Sequence, residues 1–209
     1  MSSLGSALRA LLTLALWISA GIAALKFWYV DVLEVPHNAM APTLVFGEQV
    51  LVWRHARVDM GDIVVCEHPT RPGVNVLGRA VAFAGHTISV DDMGSLTVDS
   101  DRANIEWEGS MHFYDVTRQK LFDMRVGSID YRRQHRHQFV VEANTHFALT
   151  PYSVGRGVYL LGDNRSDGAD SREFGEVDPG RCKGQVFMRL APAQNQHDDV
   201  HHGYLGIIR

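Results

Sequence analysis

Three nucleophiles and two bases are singled out as candidates in this chain of 209 residues. Thr43, Ser171 and Cys66 carry hydroxyl or thiol groups that could attack a carbonyl carbon, and each needs a base to take its proton. His37 and His86 carry imidazoles that could act as that base. The sequence does not by itself pair any of these nucleophiles with a base.

Other chemistries have weaker support. Residues 197–202 contain metal-capable histidines and aspartates, but a terminal tract of this kind is typical of a solvated segment, so we predict no metal site and no cofactor. A formal net charge of -4 and the absence of a long basic stripe argue against a nucleic-acid partner. The small basic patch at residues 132–137 is interpreted as a solvated strand face.

An apolar segment precedes all of these residues. The 16 residues 10–25 carry no charge, and as a helix they would span about 24 Å, a little less than the ~30 Å hydrocarbon core of a bilayer. Lys26 and the aromatic residues 27–29 suit a membrane interface. We therefore predict a short N-terminal segment 1–9 and a transmembrane anchor 10–30. A cleaved signal peptide and a buried soluble helix remain alternatives.

The rest of the chain predicts strands. Short β-branched runs, such as residues 63–65 and 158–161, alternate with turn-forming segments rich in glycine and aspartate. Cys66 and Cys182 each fall in a probable strand, and we interpret them as two separate buried thiols, with a disulfide as the alternative. The predicted fold class is mainly β, with little helix beyond the anchor.

Two segments carry specific patterns. Residues 35–44 read VPHNAMAPTL, and residues 162–175 read GDNRSDGADSREFG. They resemble the type I signal peptidases, serine–lysine membrane peptidases whose patterns run PSGSMxPTL and GDNRxxSxDSRxWG. Residues 78–88, GRAVAFAGHTI, resemble a third family segment, KRVxGxPGDxI. The resemblance covers roughly residues 30–90 and 155–190.

This resemblance implies an architecture. We expect a signal-peptidase-like core from residues 31–90 and 151–190, an inserted β subdomain at 91–150, and a C-terminal tail at 191–209. It also implies a single-pass protein of the inner membrane, with most of the chain on the periplasmic side.

The positions that the family uses for hydrolysis are altered. The nucleophile position is Ala39, whose methyl group cannot attack, and the general-base position is Gly78. The position of the serine that orients the lysine is Gly168, and the position resembling an oxyanion donor is His37. One engineered serine-to-alanine change would explain Ala39 alone, so we predict that the catalytic dyad is lost.

The frame around these positions is retained. The resemblance implies ion pairs between Arg79 and Asp163 and between Asp170 and Arg172, which would rigidify two loops beside a groove. The predicted scaffold residues are Arg79, Asp163, Asn164, Arg165, Asp170, Ser171 and Arg172. Met40 and Pro42 are predicted to contact bound peptide. In this frame Thr43 and Ser171 take structural roles.

Three functions compete at this stage. The preferred hypothesis is a non-catalytic, membrane-anchored protein that binds extended signal or precursor peptides of exported proteins, as an accessory factor in secretion or surface-appendage assembly. The second is an active type I signal peptidase, seen as a Ser→Ala form or with an altered dyad. The third is a structural subunit that docks an envelope-assembly partner.

Overall fold

The structure is a computed structural model that describes residues 2–116, 118–131, 135–142, 148–194 and 203–208. The first element is the helix α1 (Ser2–Tyr29), whose apolar residues lie on all of its faces. Its segment Ala7–Tyr29 is long and apolar enough to cross a membrane and is not buried by the rest of the chain. Alanine and leucine favour the helix, which ends where the chain turns into a strand at Val30.

Beyond α1 the described chain is mainly β, as the sequence predicts. The strands are β1 (Val30–Glu34), β2 (Gln49–Trp53), β3 (Ile63–Glu67), β4 (Asn75–Phe83), β5 (Thr87–Val90), β6 (Leu96–Val98), β7 (Asp101–Arg102), β8 (Asn104–Asp115), β9 (Lys120–Tyr131), β10 (His135–Glu142), β11 (Leu149–Ser153), β12 (Val158–Leu161), β13 (Cys182–Ala191) and β14 (Gly206–Ile207). The short helix α2 (Ser171–Phe174) and the 3-10 helices Asn38–Met40 and Pro179–Arg181 complete the elements.

The strands form three sheets. The largest runs in the order β1-β2-β13-β3-β4-β12, with β14 pairing to β13, so both motif-bearing parts of the sequence contribute to it. A four-stranded sheet has the order β11-β5-β6-β7, and a three-stranded sheet has the order β10-β9-β8. Residues 91–150 therefore supply strands to two sheets, one of which is completed by β5 and by β11, most of which lies beyond residue 150.

The two cysteines correct the sequence interpretation. Cys66 and Cys182 are joined by a disulfide with an S–S distance of 2.05 Å and are not separate thiols. The physical reason is strand register, because β3 and β13 pair antiparallel with these two residues directly opposite each other. Their sequence separation of 116 residues hides this neighbourhood from the sequence.

Two apolar clusters enclose the loop that follows β1. On one side Val35, Met40 and Leu44 pack with buried residues of β2, β3, β4 and β13. On the other side Ala41 and Val45 pack against the three-stranded sheet. The loop therefore lies in the interior, between the largest sheet and the β8–β10 sheet.

Candidate functional site

The site is built on the loop at residues 35–44. Its 3-10 helix Asn38–Met40 begins after His37, which has an extended backbone and caps the helix through its side chain. Ala39 and Met40 are 0 % exposed. Ala41 has φ -62° and ψ 142°, the extended conformation predicted for a residue before proline, and its bond to Pro42 is cis.

The carbonyl oxygen and the amide of Ala39 are both hydrogen-bonded. Its carbonyl oxygen accepts a hydrogen bond from the Asn164 amide at 2.9 Å, and its own amide donates to Nδ1 of His37 at 3.3 Å. A Cβ atom on Gly162 would lie 2.5 Å from the Ala39 oxygen, so only glycine permits this approach. The Gly-Asp-Asn turn thus holds the loop directly by its backbone.

His37 is neutral in this arrangement. Burial lowers the pKa of its imidazole, although the carboxylate of Asp167 opposes that shift. A neutral ring can leave Nδ1 unprotonated to accept from Ala39. The residue at the family's oxyanion-donor position is therefore a hydrogen-bond acceptor here, and its partner is the Ala39 amide.

Gly78 lies on β4 among residues that face away from Met40. Its neighbours Val76 and Ala80 belong to a different buried cluster from Leu77, which packs with Met40. A Cβ atom at position 78 would lie only 2.9 Å from the Leu160 Cβ. A lysine at this position would therefore require β12 to shift.

The chain contains three lysines, and all lie in described residues. Lys26 is in the last turn of α1. Lys120 lies over the ring of Phe122 at 4.5 Å, and Lys183 is exposed at the start of β13. Gly168 is exposed, and a Cβ there would meet open space.

Asp163 is the centre of a buried polar cluster. Arg79 donates to its two carboxylate oxygens, Nε at 2.9 Å and Nη2 at 2.6 Å, so this predicted ion pair is present. Thr43 donates its hydroxyl to Asp163 at 2.6 Å, and Nε2 of His137 lies 3.5 Å away. Burial alone would raise the pKa of Asp163, but Arg79, His137 and Arg165 outweigh it and lower that pKa. Such a carboxylate is a weak base, so Thr43 is not activated as a nucleophile.

The Asp170–Arg172 pair is also present, with Nη2 2.7 Å from the carboxylate. Asp170 caps α2 by accepting from the Arg172 amide at 3.0 Å, and it also accepts from the Gly162 amide at 2.9 Å. The Ser171 hydroxyl accepts from the Leu160 amide at 2.9 Å. These contacts connect α2 to the turn beside Ala39 and give Ser171 a structural role.

Arg165 lies wholly inside the fold. Its guanidinium donates to the Gly162 carbonyl and lies 5.5 Å from the ring centroid of Phe139. Burial lowers the pKa of Arg165 to about 10, which leaves it charged at neutral pH. The amide of Arg165 donates to the Val140 carbonyl, so this motif is joined to β10.

The remaining sequence candidates do not assemble into a nucleophile–base pair. Cys66 is in the disulfide. Nδ1 of His86 accepts from the Phe83 amide at 3.1 Å, within the turn that precedes β5. A contact of 3.3 Å joins the Thr70 hydroxyl to His68, but it lies within one turn of the β3–β4 loop.

Met40 and Pro42 are both buried, so their contact with a peptide stays a prediction. The tail residues 197–202 and much of the basic patch, residues 132–134, lie outside the described residues. Arg136 pairs with Glu106 at 2.9 Å.

Sequence reasoning missed two contributors from the three-stranded sheet. His137 approaches Asp163, and Val140 pairs with the motif turn by donating its amide to the Asp163 carbonyl at 3.0 Å. Val140 belongs to no motif. His137 lies in the basic patch at residues 132–137, and the interpretation of that patch as a solvated strand face is wrong for this residue, which is 7% exposed because β10 turns it toward Asp163. Their role follows from the way β10 lies along the Gly-Asp-Asn-Arg turn.

Comparison with known proteins identifies the class. The profile of the family described as "Signal peptidase, peptidase S26" matches residues 7–191. The chain therefore belongs to the signal peptidase family, and its function is signal-peptidase-like. Signal peptidase I of Streptococcus pneumoniae is 28% identical over 191 residues, which cover 86% of this chain and 91% of the relative.

Two further relatives share this description. Signal peptidase I of Pseudomonas aeruginosa is 23% identical over 179 residues, 74% of this chain but only 59% of the relative's length. Signal peptidase I of Aquifex aeolicus is 22% identical over 203 residues, 82% of this chain and 79% of the relative. The chain thus spans about three-fifths of the Pseudomonas protein and most of the other two.

Proposed function

We propose that this protein is a membrane-anchored, non-hydrolytic member of the signal peptidase family that binds extended segments of exported precursor proteins. In this proposal α1 is a single span of the inner membrane, and the β body lies on the periplasmic side. The protein acts as an accessory factor in secretion or surface-appendage assembly. The observation that carries the proposal is the buried Ala39, whose amide is already bonded to His37.

Hydrolysis by a serine–lysine peptidase needs a nucleophile, a neutral amine as base and fixed donors for the oxyanion. The Ala39 methyl supplies no nucleophile, and Gly78 supplies no amine. The amide of Ala39, which would be a natural oxyanion donor, has His37 as its acceptor at 3.3 Å. All three requirements fail at the positions that the family uses for hydrolysis, which favours a binding function over a cleaving one.

The outer edge of β1 supports peptide binding. Among the described residues β1 pairs only with β2, so its other edge is open. The Val35 amide donates to Glu48 and the Val35 carbonyl accepts from Gly47, while the Tyr29 carbonyl accepts from Arg54. The main-chain N–H and C=O groups of the odd-numbered residues therefore point toward β2.

Since an antiparallel strand alternates the direction of its hydrogen-bonding groups, Val30, Val32 and Glu34 present their N–H and C=O groups at the open edge. An extended peptide can add to such an edge by main-chain hydrogen bonds. The edge leads directly into the loop that holds Ala39, so a peptide bound there would lie along the route to the former catalytic position.

A cleavage assay tests the loss of hydrolysis. The full chain in detergent micelles is incubated with a secretory precursor, beside a signal peptidase I that has its serine and lysine. We expect no cleavage by the wild type, by Ala39→Ser or by Ala39→Ser/Gly78→Lys, because Leu160 obstructs a side chain at position 78. Cleavage by the wild type, or by Ala39→Ser alone, would instead establish an active or trapped peptidase.

A binding assay tests the open edge. Fluorescence anisotropy follows a labelled peptide with a small-x-small segment as full-length protein is added. Val32→Pro removes one outward N–H but no bond to β2, and a loss of about 1 kcal/mol predicts roughly fivefold weaker binding. Val32→Ala keeps the N–H and is the matched control. Equal affinity of both variants, or no binding of any secretory peptide by the wild type, contradicts the proposal.

A further inference from the structure

A cleft of about 300 Å³ lies beside the end of β1. It is lined by Glu34, the last residue of β1, and by Gln49, the first residue of β2. The turn residues Phe46 and Gly47 and the residue that follows β8, Val116, also line it. This volume is at the lower end of the range for small-ligand sites. None of the positions that the family uses for hydrolysis lines the cleft.

The cleft carries one negative charge. Among the described residues that line it, Glu34 alone is charged, and the described chain offers its exposed carboxylate no ion pair. Other charged groups near the cleft are already paired. Glu48 lies 2.9 Å from Arg189, and Arg118, near the end of the β8–β9 hairpin, lies 3.6 Å from Asp167.

The other lining groups suit a long cationic side chain. Phe46 and Ala193 offer apolar surface to its methylene groups. The side-chain amides of Gln49 and Gln194 have carbonyl oxygens that can accept hydrogen bonds from an ammonium or guanidinium group. A carboxylate in the cleft would be repelled by Glu34, and an apolar side chain would desolvate Glu34 without pairing it.

Glu34 also belongs to the open edge of β1. Its N–H and C=O groups point away from β2, so they are available to an added strand. In such a strand the residue directly opposite Glu34 places its side chain on the same face of the sheet, with the two Cβ atoms about 5 Å apart. Gln49, which is directly opposite Glu34 on β2, shares that face. A peptide side chain at this position therefore projects beside the Glu34 carboxylate and the cleft.

The rest of β1 does not offer a second position of this kind. Val32, the next residue on the same face, is apolar and 45% exposed. Asp31 is the other acid of β1, but it points to the opposite face and forms an ion pair with Arg54. Selection for a positive charge is therefore confined to the peptide residue opposite Glu34.

We propose that Glu34 and this cleft form a subsite for a lysine or arginine side chain of the bound precursor peptide. The inference rests on the proposed function, because the peptide must lie along β1. Main-chain hydrogen bonds to a strand edge hold any extended sequence, and pockets for alternate side chains supply the specificity. The subsite thus selects, by charge at one position, among the extended segments that the edge could bind.

A lysine scan of the peptide tests this subsite. Labelled variants of the small-x-small peptide carry one lysine at successive positions, and a matched series carries glutamine at the same positions. Fluorescence anisotropy with the full-length protein in uncharged detergent micelles gives each affinity. One lysine position should bind about three- to fivefold more tightly than its glutamine counterpart, and high salt should reduce that advantage.

Variants of the protein then identify the carboxylate. Glu34→Gln should remove the preference for lysine. Glu34→Lys should reverse it, so that a peptide with glutamate at that position binds more tightly than one with lysine. Asp101→Asn is the matched control, because it removes the same charge from an exposed residue of β7 in a different sheet. It should leave the preference unchanged.

The outcomes separate the subsite from peptide binding itself. Equal affinities for the lysine and glutamine peptides at every position, or a lysine preference that persists in Glu34→Gln, overturn the subsite and leave the proposed function standing. A preference lost equally in Asp101→Asn means that the overall charge of the protein attracts the peptide, which also overturns the subsite. If no peptide of either series binds the wild type, the subsite and the proposed function both fail.

Discussion

Arg79→Leu is the sharpest test of the buried frame around Ala39. In the wild type the Arg79–Asp163 pair is almost completely buried, with side chains 2% and 0% exposed and a closest N–O distance of 2.6 Å. Removing one partner of a buried pair leaves an uncompensated charge and costs about 3–5 kcal/mol. For a chain of this size that loss lowers the midpoint of thermal unfolding by about 10 °C.

The chain offers a control at the surface with the same closest N–O distance. The Arg102–Asp91 pair also has a closest N–O distance of 2.6 Å, but its side chains are 69% and 36% exposed. Because water screens such a pair, Arg102→Leu is expected to cost only about 0–1 kcal/mol. The assay is urea and thermal unfolding of the full chain in micelles, followed by near-ultraviolet circular dichroism.

The deficit of Arg79→Leu also has an expected pH dependence. The folded-state pKa of Asp163 is lowered, so its contribution to wild-type stability is present above the unfolded value, about 3.9, and is lost as the pH falls through the folded pKa. The difference in unfolding free energy between the wild type and Arg79→Leu should therefore become smaller at acidic pH. The double variant Arg79→Leu/Asp163→Asn should recover part of the loss. A deficit no larger than that of Arg102→Leu, or one independent of pH, would refute the reasoning.

Three further predictions concern the same region. Gly162→Ala should lower the free energy of unfolding by about 1–3 kcal/mol, because its Cβ would overlap the Ala39 oxygen. In the matched control Gly168→Ala the new Cβ meets open space, so the free energy of unfolding should change by less than about 0.5 kcal/mol. Equal urea midpoints of the two variants would contradict this difference. Replacing Cys66 and Cys182 together by alanine should lower the free energy of unfolding by about 2–5 kcal/mol. The measurement compares the thermal midpoint of this variant with the midpoints of the oxidised and the dithiothreitol-treated wild type. Because the folded-state pKa of His37 is lowered, its unfolded state binds the proton more readily and stability falls as the pH drops below about 6.5. His37→Asn keeps a capping acceptor without that titration, so it should flatten the pH dependence of the unfolding free energy between about pH 5 and pH 7. An unchanged slope would contradict the lowered pKa of His37.

Much of the frame was predictable because its signals are local or carried by motifs. The apolar run that forms α1, the extended Ala41 before Pro42 and the mainly β class all follow from short-range sequence chemistry. The Arg79–Asp163 and Asp170–Arg172 pairs were predictable through the family resemblance, because each of these charged residues stands at a position that the family patterns also contain.

The remainder depends on strands that are distant in sequence. The Cys66–Cys182 disulfide requires the register between β3 and β13, which no single-sequence pattern encodes. The approach of His137 to Asp163 requires β10 to lie along the motif turn. The capping contact of His37 depends on a 3-10 turn of three residues, which is too short to give a periodic signal.

Two of the altered positions are held by contacts of their own, and this bears on the proposed loss of hydrolysis. Gly78 allows the Leu160 Cβ to come close to β4, so a lysine there competes with the β4–β12 contact. His37 satisfies the Ala39 amide, so a serine introduced at 39 would still face an occupied oxyanion donor. Each reversal therefore meets an obstacle of its own, Leu160 at position 78 and His37 at position 39. Two separate obstacles favour long-standing loss of the dyad over one engineered substitution, because a single Ser→Ala change would leave the lysine position and its packing untouched.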